Sequence, residues 1–231
     1  MSTIAGADGC KGGWLCLTEN TDAVITGFIA LDFPSLINSL PPSTILAIDI
    51  PIGLPEIGAR KCDIEARRRL GRPRGSSVFP APIRAVLNAS DYQVACAIGQ
   101  AHEGKKISRQ TFEIIPKIRE VDALLNHTTM NCEVRECHPE VSFAHWAGSP
   151  MRFRKKTVDG RTERARLVDN FWSAERIKVM SQLPRGKFAV DDLHDAFAAL
   201  WTARRLQRRQ AVVLPEAPEI DSRGLRMEIV V

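Results

Sequence analysis

Short apolar segments, broken by glycine, asparagine and proline, open the chain. TIAGADG, residues 3–9, predicts a strand ending at Asp8. The glycine-rich DGCKGG that follows reads as a turn, and WLCLTEN, residues 14–20, as the returning strand. AVITGFIAL, residues 23–31, predicts a third strand ending near Asp32, which completes an antiparallel meander. FPSLINSL predicts a short helix. TILAIDIP, residues 44–51, is a continuous apolar run of the kind found in buried central strands, and it ends at Asp49. Pro51 and Pro55 then turn the chain out of the sheet.

From about residue 58 to 130 the period changes to that of a helix, and the polar positions become basic. ARKCDIEARRRL predicts an amphipathic helix, and GRPRGSSVFPAPIR a loop. SDYQVACAIGQAH predicts a helix with Ser90 as its N-cap. SRQTFEIIPKIREVDALL predicts one broken or kinked near Pro116. CEVRECHPE, residues 132–140, alternates like a half-buried strand, and GRTERARLVDNFW, residues 160–172, returns to helix. A helix from about Val190 to Gln210 and a last strand, GLRMEIVV, close the chain. Meander strands followed by strands alternating with helices imply an α/β sheet of mixed direction.

The penultimate element carries the chemistry. In AVDDLHDAFAALWTA, residues 189–203, three aspartates crowd the first turns of a helix fit for burial. At about 100° per residue, Val190, Leu193, Phe197, Leu200 and Trp201 share one side. Asp195, Ala198, Ala199 and Thr202 share the other, with Asp191 and Asp192 flanking Asp195. Such a helix packs on both sides, its small side close against a sheet. Capping explains Asp191 as N-cap and Asp192 in the first turn. It does not explain Asp195, a turn further on, because burying a carboxylate is costly unless it is paired or binds metal.

Other acids stand ready to meet it. Asp8 and Asp49 end strands, and Glu136 lies in the strand before His138, with Glu140 just after. Strand ends are where sites assemble in such sheets. Clustered carboxylates without basic partners repel each other, so they imply bound cations. All-oxygen ligands select Mg²⁺ or Mn²⁺. Asp8, Asp49, Asp192 and Asp195 are the candidate metal ligands, and with Glu136 they form the candidate catalytic set. Two ions about 4 Å apart would hold an attacking water and a leaving oxygen in line at a phosphorus, with Asp8 bridging both.

Composition adds a partner and removes others. The net charge is +5, and Lys and Arg concentrate in residues 60–84 and 152–166. That suits a polyanion, with nucleic acid the expected partner. Arg60, Arg67, Arg84, Arg135 and His138 are candidates for gripping phosphate. The alternatives are a solvated helix face or ion pairs for the arginines and a structural role for the histidine. The 152–166 segment reads equally as a mobile arm or as a solvated loop. No apolar run reaches the roughly 18 residues of a membrane span, and no signal peptide opens the chain. The six cysteines form no CxxC pair, and Cys132, Cys137 and His138 match no common zinc spacing. These features lead to a cytoplasmic protein with reduced thiols.

GADGCKGGW, AIDIPIGLP, ECHPEVSF and DDLHDAFAAL together resemble a family of bacterial and archaeal proteins described as predicted nucleases with an RNase H-like fold. The resemblance covers nearly the whole chain. It implies a single RNase H-like domain over 1–231: a mixed five-stranded sheet flanked by helices, a mostly helical insertion at about 58–130, and an extra C-terminal strand. It further implies acids on the first strand, the fourth strand and the last core helix, which here are Asp8, Asp49 and Asp195 with Asp192 beside it. Glu136 and His138 would be additions of this family. The expected function is a metal-dependent nuclease. Its competitors are a single-domain relative of the actin and sugar-kinase fold that binds a nucleotide, and a non-catalytic nucleic-acid-binding or scaffold protein. A two-fold dimer would suit a junction substrate.

Overall fold

Five strands build one sheet: β1 (Ile4–Cys10), β2 (Gly13–Glu19), β3 (Ile25–Ala30), β4 (Ile45–Ile48) and β5 (Glu133–Glu136). The order across it is β3-β2-β1-β4-β5. The first three strands are antiparallel, and β4 and β5 run parallel to β1. This is the expected α/β, RNase H-like arrangement. The computed structural model describes residues 2–127 and 130–231. Met1 and residues 128–129, the latter inside the expected 58–130 stretch, lie outside the described residues. The helices are α1 (Phe33–Asn38), α2 (Lys61–Leu70), α3 (Tyr92–Glu103), α4 (Arg109–His127), α5 (Pro139–Ala147), α6 (Val158–Gln182) and α7 (Val190–Gln207). A separate two-stranded sheet joins β6 (Val213–Ile220) and β7 (Arg226–Val230).

The chain divides into two units. The first is Met1–Asp49, Met130–Val212 and Val230–Val231, and it holds the five-stranded sheet. Trp14, Leu15, Cys16 and Leu17 of β2 are all fully buried, as befits a strand covered on both faces. Helix α7 lies on β1, β4 and β2, and α5 and α6 pack against α7. Both sides of α7 are buried, from Leu193, Phe197 and Leu200 to Asp195, Ala198, Ala199 and Thr202, as its two-sided pattern predicts. Thr202 Oγ1 shares a 2.8 Å hydrogen bond with Ser142 Oγ of α5.

The close approach of α7 to the sheet rests on Gly6. A Cβ built there would stand 2.0 Å from the Leu200 backbone nitrogen and 2.5 Å from the Ala196 carbonyl oxygen. Only a residue without a side chain lets the helix backbone touch β1. Trp14 is buried against Phe33, with ring centroids 6.0 Å apart. Trp146 stacks on Trp201 at 5.2 Å, and Phe79 is exposed.

The second unit is Ile50–Thr129 and Val213–Ile229. Its interior is tied by two buried arginines. Arg60 meets Asp63 at 2.6 Å and donates to the carbonyls of Ile52 and Gly53. Arg84 meets Asp122 at 3.0 Å and also pairs with Asp221. Asp221 in turn accepts from the backbone of Leu54, Arg223 and Leu225. Both of these phosphate candidates therefore have carboxylate partners within their own unit.

Four local expectations change. Helix α4 runs on through Pro116. The N-cap of α3 is Asp91, which accepts from Val94 N at 2.9 Å, and not Ser90. The strand before His138 stops at Glu136, and Pro139 starts α5 with the fixed φ that suits a first helical position. Strand β6 was not expected; it carries Pro215 and Pro218, and a two-stranded sheet has only edges, where proline is tolerated. Among the described residues, no helix is long and apolar enough to cross a membrane.

Candidate metal centre

The register of the sheet decides which acids meet. Ala7 pairs with Ile48, and Ile48 with Glu136. The ladder continues one step, with Asp49 N donating to Ala7 O at 3.0 Å and Cys137 N to Ile48 O at 2.9 Å. Side chains alternate along a strand, so Asp8, Asp49 and Cys137 share one face, which is also the face of Gly6 and hence of α7. Glu136 is in register with Ala7 and Ile48 and takes the opposite face, where it is buried.

Asp195 reaches the same face from α7. One carboxylate oxygen from each of Asp8, Asp49 and Asp195 lies within 4.8 Å of the others. Asp8 is 8% exposed and Asp195 1%. Asp195 Oδ1 is buried with no hydrogen-bond partner among the described residues. Three converging carboxylates, one with an unsatisfied buried oxygen, fit a hard divalent ion. Their proximity also works against ionisation. Burial, then Asp49 and Asp195, hold the Asp8 carboxyl well above the usual carboxylate range. Asp49 is pushed up to about 6 by burial, with His138 opposing the shift and Asp195 adding to it.

The model of a family described as "Protein of unknown function (DUF429)" matches residues 6–220, which include all three acids and the elements that carry them. The chain belongs to the DUF429 family. No curated protein and no solved structure matches it.

Around the three acids of this DUF429 protein, the other expected residues find varied places. The N-cap of α7 is Ala189 and not Asp191, and Asp192 reaches back from the third helical position to accept from Ala189 N at 2.8 Å. It still adds to the negative field at Asp8, and burial raises its own carboxyl. His138 stands before α5 with Nδ1 buried and unpartnered, close enough to Asp49 to oppose its shift. Glu140 is engaged by Arg164. Arg135 pairs with Glu133 at 2.9 Å. His194, beside Asp195, has both ring nitrogens buried and unpartnered; burial and Arg176 push it down to about 4, so it is neutral at pH 7.

One site residue escaped the sequence reading. Lys155 Nζ donates to Asp195 Oδ2 at 2.7 Å, and the Asp195 carboxylate holds the amine well above its ordinary range. It belongs to the basic 152–166 segment, which showed only its charge. No local spacing distinguishes Lys155 from Lys156.

The raised carboxyls predict a pH dependence. The acid, imidazole and amine groups facing Asp49 are Asp195, Asp8, His138, Glu140 and Lys155. The folded chain keeps a proton on Asp49 up to about pH 6, against an ordinary value of 3.8. Stability from this proton is fully present below about pH 3.8 and is lost as pH rises through about 6. A divalent ion must displace the same proton. Mn²⁺ affinity is therefore expected to climb through about pH 6 with proton release, measured by calorimetry in two buffers of different ionisation heat. A flat affinity between about pH 5 and 7 would contradict the assignment.

Proposed function

We propose that this DUF429 protein is a metal-dependent nuclease that hydrolyses phosphodiester bonds in nucleic acid at Asp8, Asp49 and Asp195. The carrying observation is the convergence of these three carboxylates within 4.8 Å, from two adjacent strand ends and one buried helix. The unsatisfied Asp195 Oδ1 supports a ligand there, since a buried acceptor without a partner is costly. Asp8, Asp49 and Asp195 would hold Mg²⁺ or Mn²⁺. When bound, such an ion polarises a phosphoryl oxygen and lowers the pKa of its water. His138, beside Asp49, would serve as general base toward the attacking water.

The exposed cations Arg152, Arg154, Lys156, Arg161 and Arg166 lie close to Lys155 in the chain and supply the charge that holds a polyanion. The six free cysteines fit a reducing compartment, and we place the protein in the cytoplasm.

The test is cleavage of labelled single-stranded DNA, duplex DNA, four-way junction and RNA in Mn²⁺ and in chelator. Metal-dependent cleavage of at least one substrate is expected. Mn²⁺ binding without cleavage of any would sink the nuclease reading and leave a metal-binding module. No Mn²⁺ binding with nucleic acid present would sink both.

A further inference from the structure

Lys155 is held in place by more than its ion pair. Its turn is closed by Thr157 N donating to Arg154 O at 3.0 Å and by Thr157 Oγ1 donating to the same carbonyl at 2.8 Å. Thr157 Oγ1 also accepts from Gly160 N, which caps α6. Gly160 lets the turn lie on the helix, since a Cβ there would stand 1.9 Å from Arg154 O. On the other flank, the Glu163 carboxylate accepts from the backbone of Arg152 at 2.9 Å and of Phe153 at 3.1 Å. Buried Arg164 reaches Phe153 O at 3.3 Å while paired to Glu140 of α5. A segment readable as a free arm is thus fastened to α6 on both sides of Lys155.

The fastened turn delivers one positive charge to a cluster of three carboxylates. A site for two divalent ions would bring four positive charges to those three negative ones. Lys155 with one divalent ion brings three, which balances Asp8, Asp49 and Asp195. The ammonium also takes Asp195 Oδ2, one of the oxygens a second ion would need, and leaves Oδ1 without a partner. We infer that Lys155 is the second cation of this site, so that the protein binds one divalent ion where the acids alone would accommodate two. The inference rests on the metal reading above and refines the two-ion expectation from the acids alone.

The experiment counts ions. Mn²⁺ stoichiometry is measured by calorimetry, and Mn–Mn coupling by electron paramagnetic resonance, on wild type, Lys155→Met and Lys155→Arg. The Lys155 side chain is 40% exposed, so these variants are expected to fold, with circular dichroism as the check. One uncoupled ion is expected in wild type and in Lys155→Arg. Two ions with a spin-coupled signal are expected in Lys155→Met, at the about 4 Å separation of two-ion sites. Two ions in wild type would overturn the inference and leave the metal reading standing. One ion in Lys155→Met would do the same. No ion in any of the three would overturn the metal reading itself, and the inference with it.

Discussion

Replacing Asp8 by asparagine is expected to weaken Mn²⁺ binding by more than about a hundredfold, beyond the range of an outer-shell partner, and to stabilise the metal-free chain. The two effects share one cause. Asp8 is buried among Asp49, Asp195 and Asp192, and Lys155 opposes their repulsion. Asparagine keeps the shape and removes the charge. The ion then loses a ligand, and the empty fold loses a source of repulsion. A capping or packing role predicts the reverse for stability, because removing a carboxylate that satisfies backbone donors is destabilising. Calorimetry with Mn²⁺ and urea unfolding in chelator read the two effects separately. Unchanged metal affinity would remove Asp8 from the site.

Gly6→Ala is expected to destabilise the first unit by at least about 3 kcal/mol, the upper end for overpacking. The added methyl would meet backbone atoms of Leu200 and Ala196 at 2.0 and 2.5 Å, and backbone cannot rotate away as a side chain can. Relief requires α7 to lift from β1. Because Gly6 and Asp8 share a face, and Asp195 rides on α7, lifting the helix also separates the carboxylates. The variant is therefore expected to lose Mn²⁺ affinity along with stability, although position 6 touches no ion. Urea unfolding and calorimetry on the same preparation check this. A stable Gly6→Ala chain with wild-type affinity would show that the helix–strand contact does not set the site.

How far the site was legible differs residue by residue. Asp8 and Asp49 were marked by lying at the ends of apolar strands, and Asp195 by interrupting the small face of a buried helix. Those signals are local: a strand end or a helix face can be read within ten residues. Glu136 carried the same strand-end signal, yet the register gives it the other face. A one-residue phase in a parallel ladder is set by the pairing partners, and nothing within ECHPE reveals it. Asp191 and Asp192 were told apart only by which carboxylate reached Ala189 N. Arg84 looked available because Asp122 and Asp221, 38 and 137 residues away, are invisible as its partners in sequence.

The five strands of the main sheet, the two-sided burial of α7 and the three converging acids thus follow from the sequence by itself, because periodicity and strand termini are properties of neighbouring residues, whereas α5 and β6 do not. The tertiary structure alone decided that Lys155 stands among those acids, that Glu136 takes the opposite face, and that Gly6 lets α7 lie against β1. Each of these depends on a contact between segments far apart in the chain, where position is fixed by backbone register, a clamped turn and the absence of one methyl group.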